Sequence, residues 1–307
     1  MERREQWKMG YHKKDHQSVL MLVSSMLIFG TIGIFRRHIP VASAFLAFSR
    51  GLLGGLSILL FIRLRKKKTQ PEKLQRHVLP GLVVSGILIG INWILLFEAY
   101  NHTTVAVATL CYYMQPTIVM LLSPLIFREK LTVKKTVCAA VAIIGMVLVS
   151  GVIDSGTRSG SLRGVLMGLG AAVFYSAVVI LNKRITGIGA YAKTTVQLLS
   201  AGTVMIPYLF LTDGFSMEGC TPAAMVLLLV VGIVHTGIAY VLYFGSMDGL
   251  QVQTVAILSY IDPVSALLFS AFMLREPLSA LNVVGAVMII GSAIVSELRK
   301  RYSSESP

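Results

Sequence analysis

Apolar runs near 20 residues alternate with short polar joints along almost the whole chain. A run of that length crosses a hydrocarbon core of about 30 Å as a helix. Lipid offers the backbone no hydrogen-bond partner, so each run must satisfy its own N–H and C=O groups. The pattern predicts ten helical spans, at about 18–35, 41–62, 78–98, 103–126, 134–152, 163–182, 190–211, 221–244, 250–273 and 279–298. Residues 1–17 and 299–307 read as tails, and the joint 63–76 is strongly basic.

The pattern also repeats. Residues 90–132 read GINWILLFEAYNHTTVAVATLCYYMQPTIVMLLSPLIFREKLT, and residues 237–279 read GIAYVLYFGSMDGLQVQTVAILSYIDPVSALLFSAFMLREPLS. The offset is a constant 147, placing Gly90 on Gly237, Phe97 on Phe244, Tyr113 on Tyr260, Pro116 on Pro263 and Glu129 on Glu276. Two repeats follow, 18–152 and 163–298, each of five spans. An odd number of crossings turns the second copy upside down relative to the first. The expected fold is therefore an all-α polytopic membrane protein, with ten transmembrane helices arranged as two inverted five-helix repeats.

Composition agrees with a membrane reading. Hydrophobic residues make up 55% and charged residues 14%, where a soluble domain carries about 25% charged. The net charge of +14 does not point to nucleic acid, because the basic residues sit in joints between apolar spans. With the N-terminus inside, the cytoplasmic joints and tails hold 21 Lys and Arg against 5 in the outer joints. That asymmetry predicts a multi-pass protein of the inner (plasma) membrane with both termini cytoplasmic. The joint 63–76 suits anionic lipid headgroups. Three cysteines, Cys111, Cys138 and Cys220, make no disulfide framework.

Several polar residues fall inside the apolar spans. Asp262 lies near the middle of the ninth, directly before Pro263, and a carboxylate there must face protein or water. The proline cannot donate to the carbonyl four residues earlier, so the helix should kink there and free a carbonyl. Gln115 holds the matching place before Pro116. Tyr113 and Tyr260 flank the same positions. Arg50 is too deep in the second span to reach the headgroups, and needs a wet cavity or an anionic partner such as Glu98. His235, in the middle of the eighth span, is a further candidate proton shuttle. Asn92 and Trp93 lie in the third span, with Trp93 matched by Tyr240. Glu129 and Glu276 read as structural groups that pair locally or cap the next helix. Gly51-x3-Gly55, Gly86-x3-Gly90 and Gly164-x3-Gly168 permit close helix approach, within the bundle or at a homodimer seam.

The doubled pattern resembles the EamA family of the drug/metabolite transporter superfamily. The residues that carry the likeness are Arg50, Gly90, Ala99, Val105-Ala106, Pro116, Glu129-x-Leu-Thr and Gly145. They recur as Gly237, Pro263, Glu276-x-Leu-Ser and Gly291. The resemblance covers residues 18–297. It implies a ten-helix secondary carrier, typically a metabolite exporter, with a central cavity lined by spans 3, 4, 8 and 9. The sequence departs at Cys138, where a small glycine is usual, and in lacking a basic mate for Arg50.

The expected activity is export or exchange of small metabolites, amino-acid-like or amphipathic, by alternating access, with Arg50, Asn92, Trp93, Tyr113, Gln115, His235, Tyr240, Tyr260 and Asp262 at the site. Asp262 and His235 are the candidates for proton coupling. No cofactor, metal site or nucleic-acid partner is expected. The chain has no phosphate-binding loop, zinc motif or nucleophile elbow. The rival readings are an intramembrane enzyme, which lacks a nucleophile–base pair, and a membrane subunit that moves no solute.

Overall fold

The computed structural model describes residues 2–65, 76–103, 105–149, 153, 161–212, 215, 220–275 and 279–297. Residues 66–75 of the basic joint, Glu276, Arg158 and the tail 299–307 lie outside the described residues. Every regular element among the described residues is helical. In chain order these are α1 (Glu2–Arg37), α2 (Ser43–Arg65), a short turn at Arg76–Val78, α3 (Leu79–His102), α4 (Val105–Tyr112), α5 (Gln115–Phe127) and α6 (Val133–Val149). The second half holds α7 (Leu162–Arg184), α8 (Ala190–Val204), α9 (Ile206–Leu211), α10 (Pro222–Val230), a π-helical segment Val231–Ile238, α11 (Ala239–Ser246), α12 (Val252–Ser259), α13 (Ile261–Leu274) and α14 (Ala280–Glu297).

Among the described residues, eight helical stretches are long and apolar enough to cross a membrane. They are α1 from His16, α2, α3, α4 with α5, α7, α8 with α9, α10 through α11, and α12 with α13. The shorter apolar helices α6 and α14 pack on each other. The first helix differs from expectation. It begins at Glu2, within the segment read as a tail, because Glu, Arg, Gln, Lys and Met are all good helix formers.

The register of 147 is visible in three dimensions. α3 packs on α7 and α8, and its mate, the π segment with α11, packs on α1 and α2. Mated helices also meet each other, antiparallel. Along α2 and α8, Phe61 lies near Tyr191 while Gly51 faces Gly202. A Cβ on Gly55 would come within 2.8 Å of the Leu199 side chain, and one on its mate Gly202 within 2.9 Å of Leu52, itself the mate of Leu199. α6 and α14 likewise cross head to tail. Lys134 Nζ donates to Ser296 O, and Asn282 Nδ2 donates to Leu148 O and Val149 O at the other end. Gly145 and Gly285 let the two backbones touch between these ties. Antiparallel mates are what an inverted repeat requires; repeats of equal topology would run parallel.

The small residues are used up inside one bundle. Gly51 and Gly55 face α8, as do Gly86 and Gly90, while Gly164 and Gly168 face Thr103, Ala108 and Cys111. None of the three glycine pairs is left over as a seam for a second copy.

Candidate functional site

Two spans break where prolines follow polar residues. α4 ends at Tyr112 and α5 starts at Gln115, while α12 ends at Ser259 and α13 starts at Ile261. Pro116 and Pro263 have no N–H for the carbonyls of Tyr112 and Ser259. Both of those residues line one cavity of about 610 Å³, together with Gln115 and Asp262. The breaks thus bring backbone oxygens, an amide and a carboxyl to one cavity inside a bundle whose outer face is apolar.

Asp262 is held from across the pseudo-axis: Tyr113 Oη donates to its Oδ2 at 3.0 Å. Ser265 Oγ donates to the Asp262 carbonyl at 2.8 Å and to Met26 O at 3.1 Å, fixing the start of α13 against α1. Arg50 enters from α2. Its Nε donates to Thr236 Oγ1 at 3.0 Å, and the guanidinium carbon lies 4.9 Å from the Trp93 ring centroid. Thr236 sits in the π segment and donates onward to Val231 O, five residues back, at 3.0 Å. Gly54 makes this approach possible, since a Cβ there would stand 3.0 Å from Gly232 O. Arg50 and Asp262 share the cavity without a direct ion pair. The site therefore offers a cationic group and an acidic group, each with capacity left for a solute.

Aromatic rings form most of the remaining wall. Trp93 meets Tyr240 edge-on at 6.5 Å, Phe29 meets Tyr240 at 5.2 Å, and Tyr175 stacks on Tyr243 at 6.4 Å. Tyr112 bridges Tyr113 and Tyr175 at 5.5 and 6.0 Å. Four of these rings escaped the sequence reading. Tyr243 carried a signal, lying one turn beyond Tyr240. Tyr112 neighbours Tyr113. Phe29 and Tyr175 carried none, because they enter from α1 and α7, outside the four spans expected to line the cavity.

Of the nine candidates, six line the cavity: Arg50, Trp93, Tyr113, Gln115, Tyr240 and Asp262. Three are set apart. Asn92 is fully buried and donates to Ala171 O at 2.7 Å, joining α3 to α7. His235 Nε2 shares a hydrogen bond with Thr31 Oγ1 at 2.8 Å, and its ring lies 4.5 Å from Phe35, behind the cavity wall. Tyr260 turns away and bonds Thr117 Oγ1 at 2.6 Å, amid the packing of α6 and α14. Helical rotation explains each case, since a change of one position turns a side chain by about 100°.

Two carboxylates also differ from expectation. Glu98 bonds Tyr208 Oη and lies 3.8 Å from His102 Nε2, so it is no partner of Arg50. Glu129 does cap a helix, but not the next one. Its oxygens accept from the backbone N–H groups of Val252 and Gln253 at 3.0 and 3.4 Å, at the start of α12. Among the described residues no three His, Cys, Asp or Glu converge as a metal site.

A model of the EamA-like transporter family matches residues 16–151 and 162–297. "Uncharacterized transporter YxxF" of Bacillus subtilis (strain 168) is 27% identical over 290 residues, covering 94% of this chain and 92% of that protein. "Protein PecM" of Dickeya dadantii (strain 3937) is 27% identical over 215 residues, covering 69% of this chain and 71% of that protein. A protein of solved crystal structure superimposes with a TM-score of 0.79 at 19% identity, over 91% of this chain and 97% of that one, a likeness of fold alone.

Proposed function

The chain belongs to the EamA-like transporter family, and from that premise we propose that this multi-pass membrane transporter moves an amphipathic, amino-acid-like solute by alternating access. The observation that carries the reading is the pairing of Gln115 and Asp262 at mated helix breaks, across an aromatic-walled cavity that also holds Arg50. A zwitterion would place its carboxylate on the planar, always-charged guanidinium of Arg50. Its ammonium would sit by Asp262 and the faces of the surrounding rings. Asp262 would carry the coupled proton. His235 supports that role less well, because Thr31 and Phe35 hold it behind the wall.

The repeats 18–152 and 163–298 would rock about the site, with α1 and α7 each carried by the opposite repeat on which it packs, as ten spans in an inner membrane, with both termini cytoplasmic and export as the working direction. The Lys and Arg asymmetry supports that orientation. An enzymatic or purely structural role draws less support, because the family matched is one of transporters and Arg50 and Asp262 face the cavity without pairing with each other.

The test is purified protein in proteoliposomes with a trapped pH-sensitive dye, an imposed proton gradient, and amino acids added singly. Proton flux that requires a solute and vanishes in Asp262→Asn is the expected result. Solute movement with no proton flux would remove Asp262 from coupling. No movement of any amino acid would overturn the substrate class.

A further inference from the structure

The register that relates the two halves also relates two cations that the site does not use. Arg36 ends α1, and its mate at the offset of 147 is Lys183, which ends α7 at the opposite end of the bundle. The two ends differ. At the Lys183 end, Lys183 Nζ donates to Met247 O at 2.7 Å and to Leu250 O, tying α7 to the loop between α11 and α12. Lys193 stands 3.8 Å from Asp248 of that loop, and Glu129 caps the helix that follows it. None of these residues lines the cavity. At the Arg36 end the cavity reaches Arg36, Ser43 and Tyr100. There Arg36 donates to the junction that directly follows its own helix, to Ile39 O, to Val41 O at 3.0 Å and to Ser43 Oγ at 3.3 Å.

The mates of Met247 and Leu250 are Tyr100 and Thr103. Tyr100 lines the cavity with Arg36, and the buried Thr103 Oγ1 has no hydrogen-bond partner. Helix packing shows the same difference between the ends. α12 packs on α5 at the Lys183 end, whereas the mated pair, α4 and α13, has no comparable packing.

We infer that Arg36 and Lys183 are the two alternating latches of the carrier: Lys183 holds one end shut here, and Arg36 shuts the other by taking the Tyr100 and Thr103 carbonyls when Lys183 lets go. This rests on the alternating-access reading. It follows from the repeat, because in an inverted pair the state open at one end is built by exchanging the conformations of the halves. Each latch is a charged hydrogen bond made in only one state, which is what lets it bias a two-state equilibrium.

The test is thiol labelling of the full chain in proteoliposomes, in a background of Cys111→Ala, Cys138→Ala and Cys220→Ala. Ser246→Cys reports the Lys183 end, where Ser246 is fully buried here, and Gly33→Cys reports the Arg36 end, where Gly33 lines the cavity and a Cβ meets nothing within 4 Å. Lys183→Met should raise labelling at Ser246→Cys and lower it at Gly33→Cys, each by about tenfold, the weight of one charged hydrogen bond. Arg36→Met should do the opposite at both reporters, including the distant one. Arg36→Lys should restore the ratio of the parent, since lysine serves at the mated position. Shifts in the same direction for Arg36→Met and Lys183→Met overturn the latch, as does an Arg36→Met variant that leaves Ser246→Cys unchanged. Solute flux is read on the same vesicles. Opposite shifts without flux keep the latch and reject the carrier reading; flux without opposite shifts does the reverse.

Discussion

The two broken spans share a scaffold and differ in chemistry. Each carries a tyrosine, a polar residue and a proline in the same register, Tyr113-Met114-Gln115-Pro116 against Tyr260-Ile261-Asp262-Pro263. The prolines open both helices at the same height. Yet the acid stands on one side only, and the tyrosines part ways. Tyr113 crosses to Asp262, while Tyr260 bonds Thr117 and faces the α6 and α14 packing. Duplication supplied two equivalent breaks; divergence left one with a charge and gave the other the donor that holds it. Arg50 shows the same division, for its mate Gln197 is fully buried and its Nε2 donates to Ser85 Oγ and Asn182 Oδ1, away from the cavity.

If the asymmetry matters, the largest effect belongs to the acid. Asp262→Asn should bring gradient-driven flux down to that of empty vesicles, with the purified protein still monodisperse. Exchanging the pair, Asp262→Gln with Gln115→Asp, should recover no more than about a tenth of the flux, because the moved acid loses the Tyr113 donor. Full recovery would show that the two breaks are interchangeable after all.

Arg50→Lys comes next. It keeps the charge but loses the planar contact with Trp93, so the solute concentration for half-maximal flux should rise by about tenfold. An unchanged value would place Arg50 outside solute binding.

The tyrosines separate site from scaffold. Tyr113→Phe should lower flux by about fivefold through the lost bond to Asp262. Tyr260→Phe should leave flux alone and cost about 1 kcal/mol of stability, read as a lower melting temperature in detergent. Equal effects on flux would restore Tyr260 to the site.

The smallest effect is a symmetric control. Arg128 and Arg275 both end their spans in left-handed backbone, at φ of 55° and 56°. Arg128→Gly and Arg275→Gly should each stabilise the protein by about 0.5–1 kcal/mol, with no change in flux. Unequal gains would mean that the repeats differ in backbone as well as in chemistry.

Much of the fold was legible in the chain because its causes are local and periodic. The apolar run lengths, the offset of 147 and the odd number of spans together specify helices, a duplication and its inversion. Asp262 before Pro263 was legible for a related reason, since a carboxyl and a helix breaker in an apolar run conflict with lipid at that spot whatever surrounds them. The rest depended on which way each helix turns about its axis. That angle is set by packing against neighbours, and a turn of about 100° per residue carries a side chain from cavity to core. So Trp93 faces the cavity while adjacent Asn92 ties α3 to α7, and Tyr113 reaches Asp262 while Tyr260 does not. Phe29 and Tyr175 became wall residues only when α1 and α7 closed on the site. Glu129 met α12 across 123 residues of chain, a pairing that no local pattern encodes because it exists only after both halves have packed.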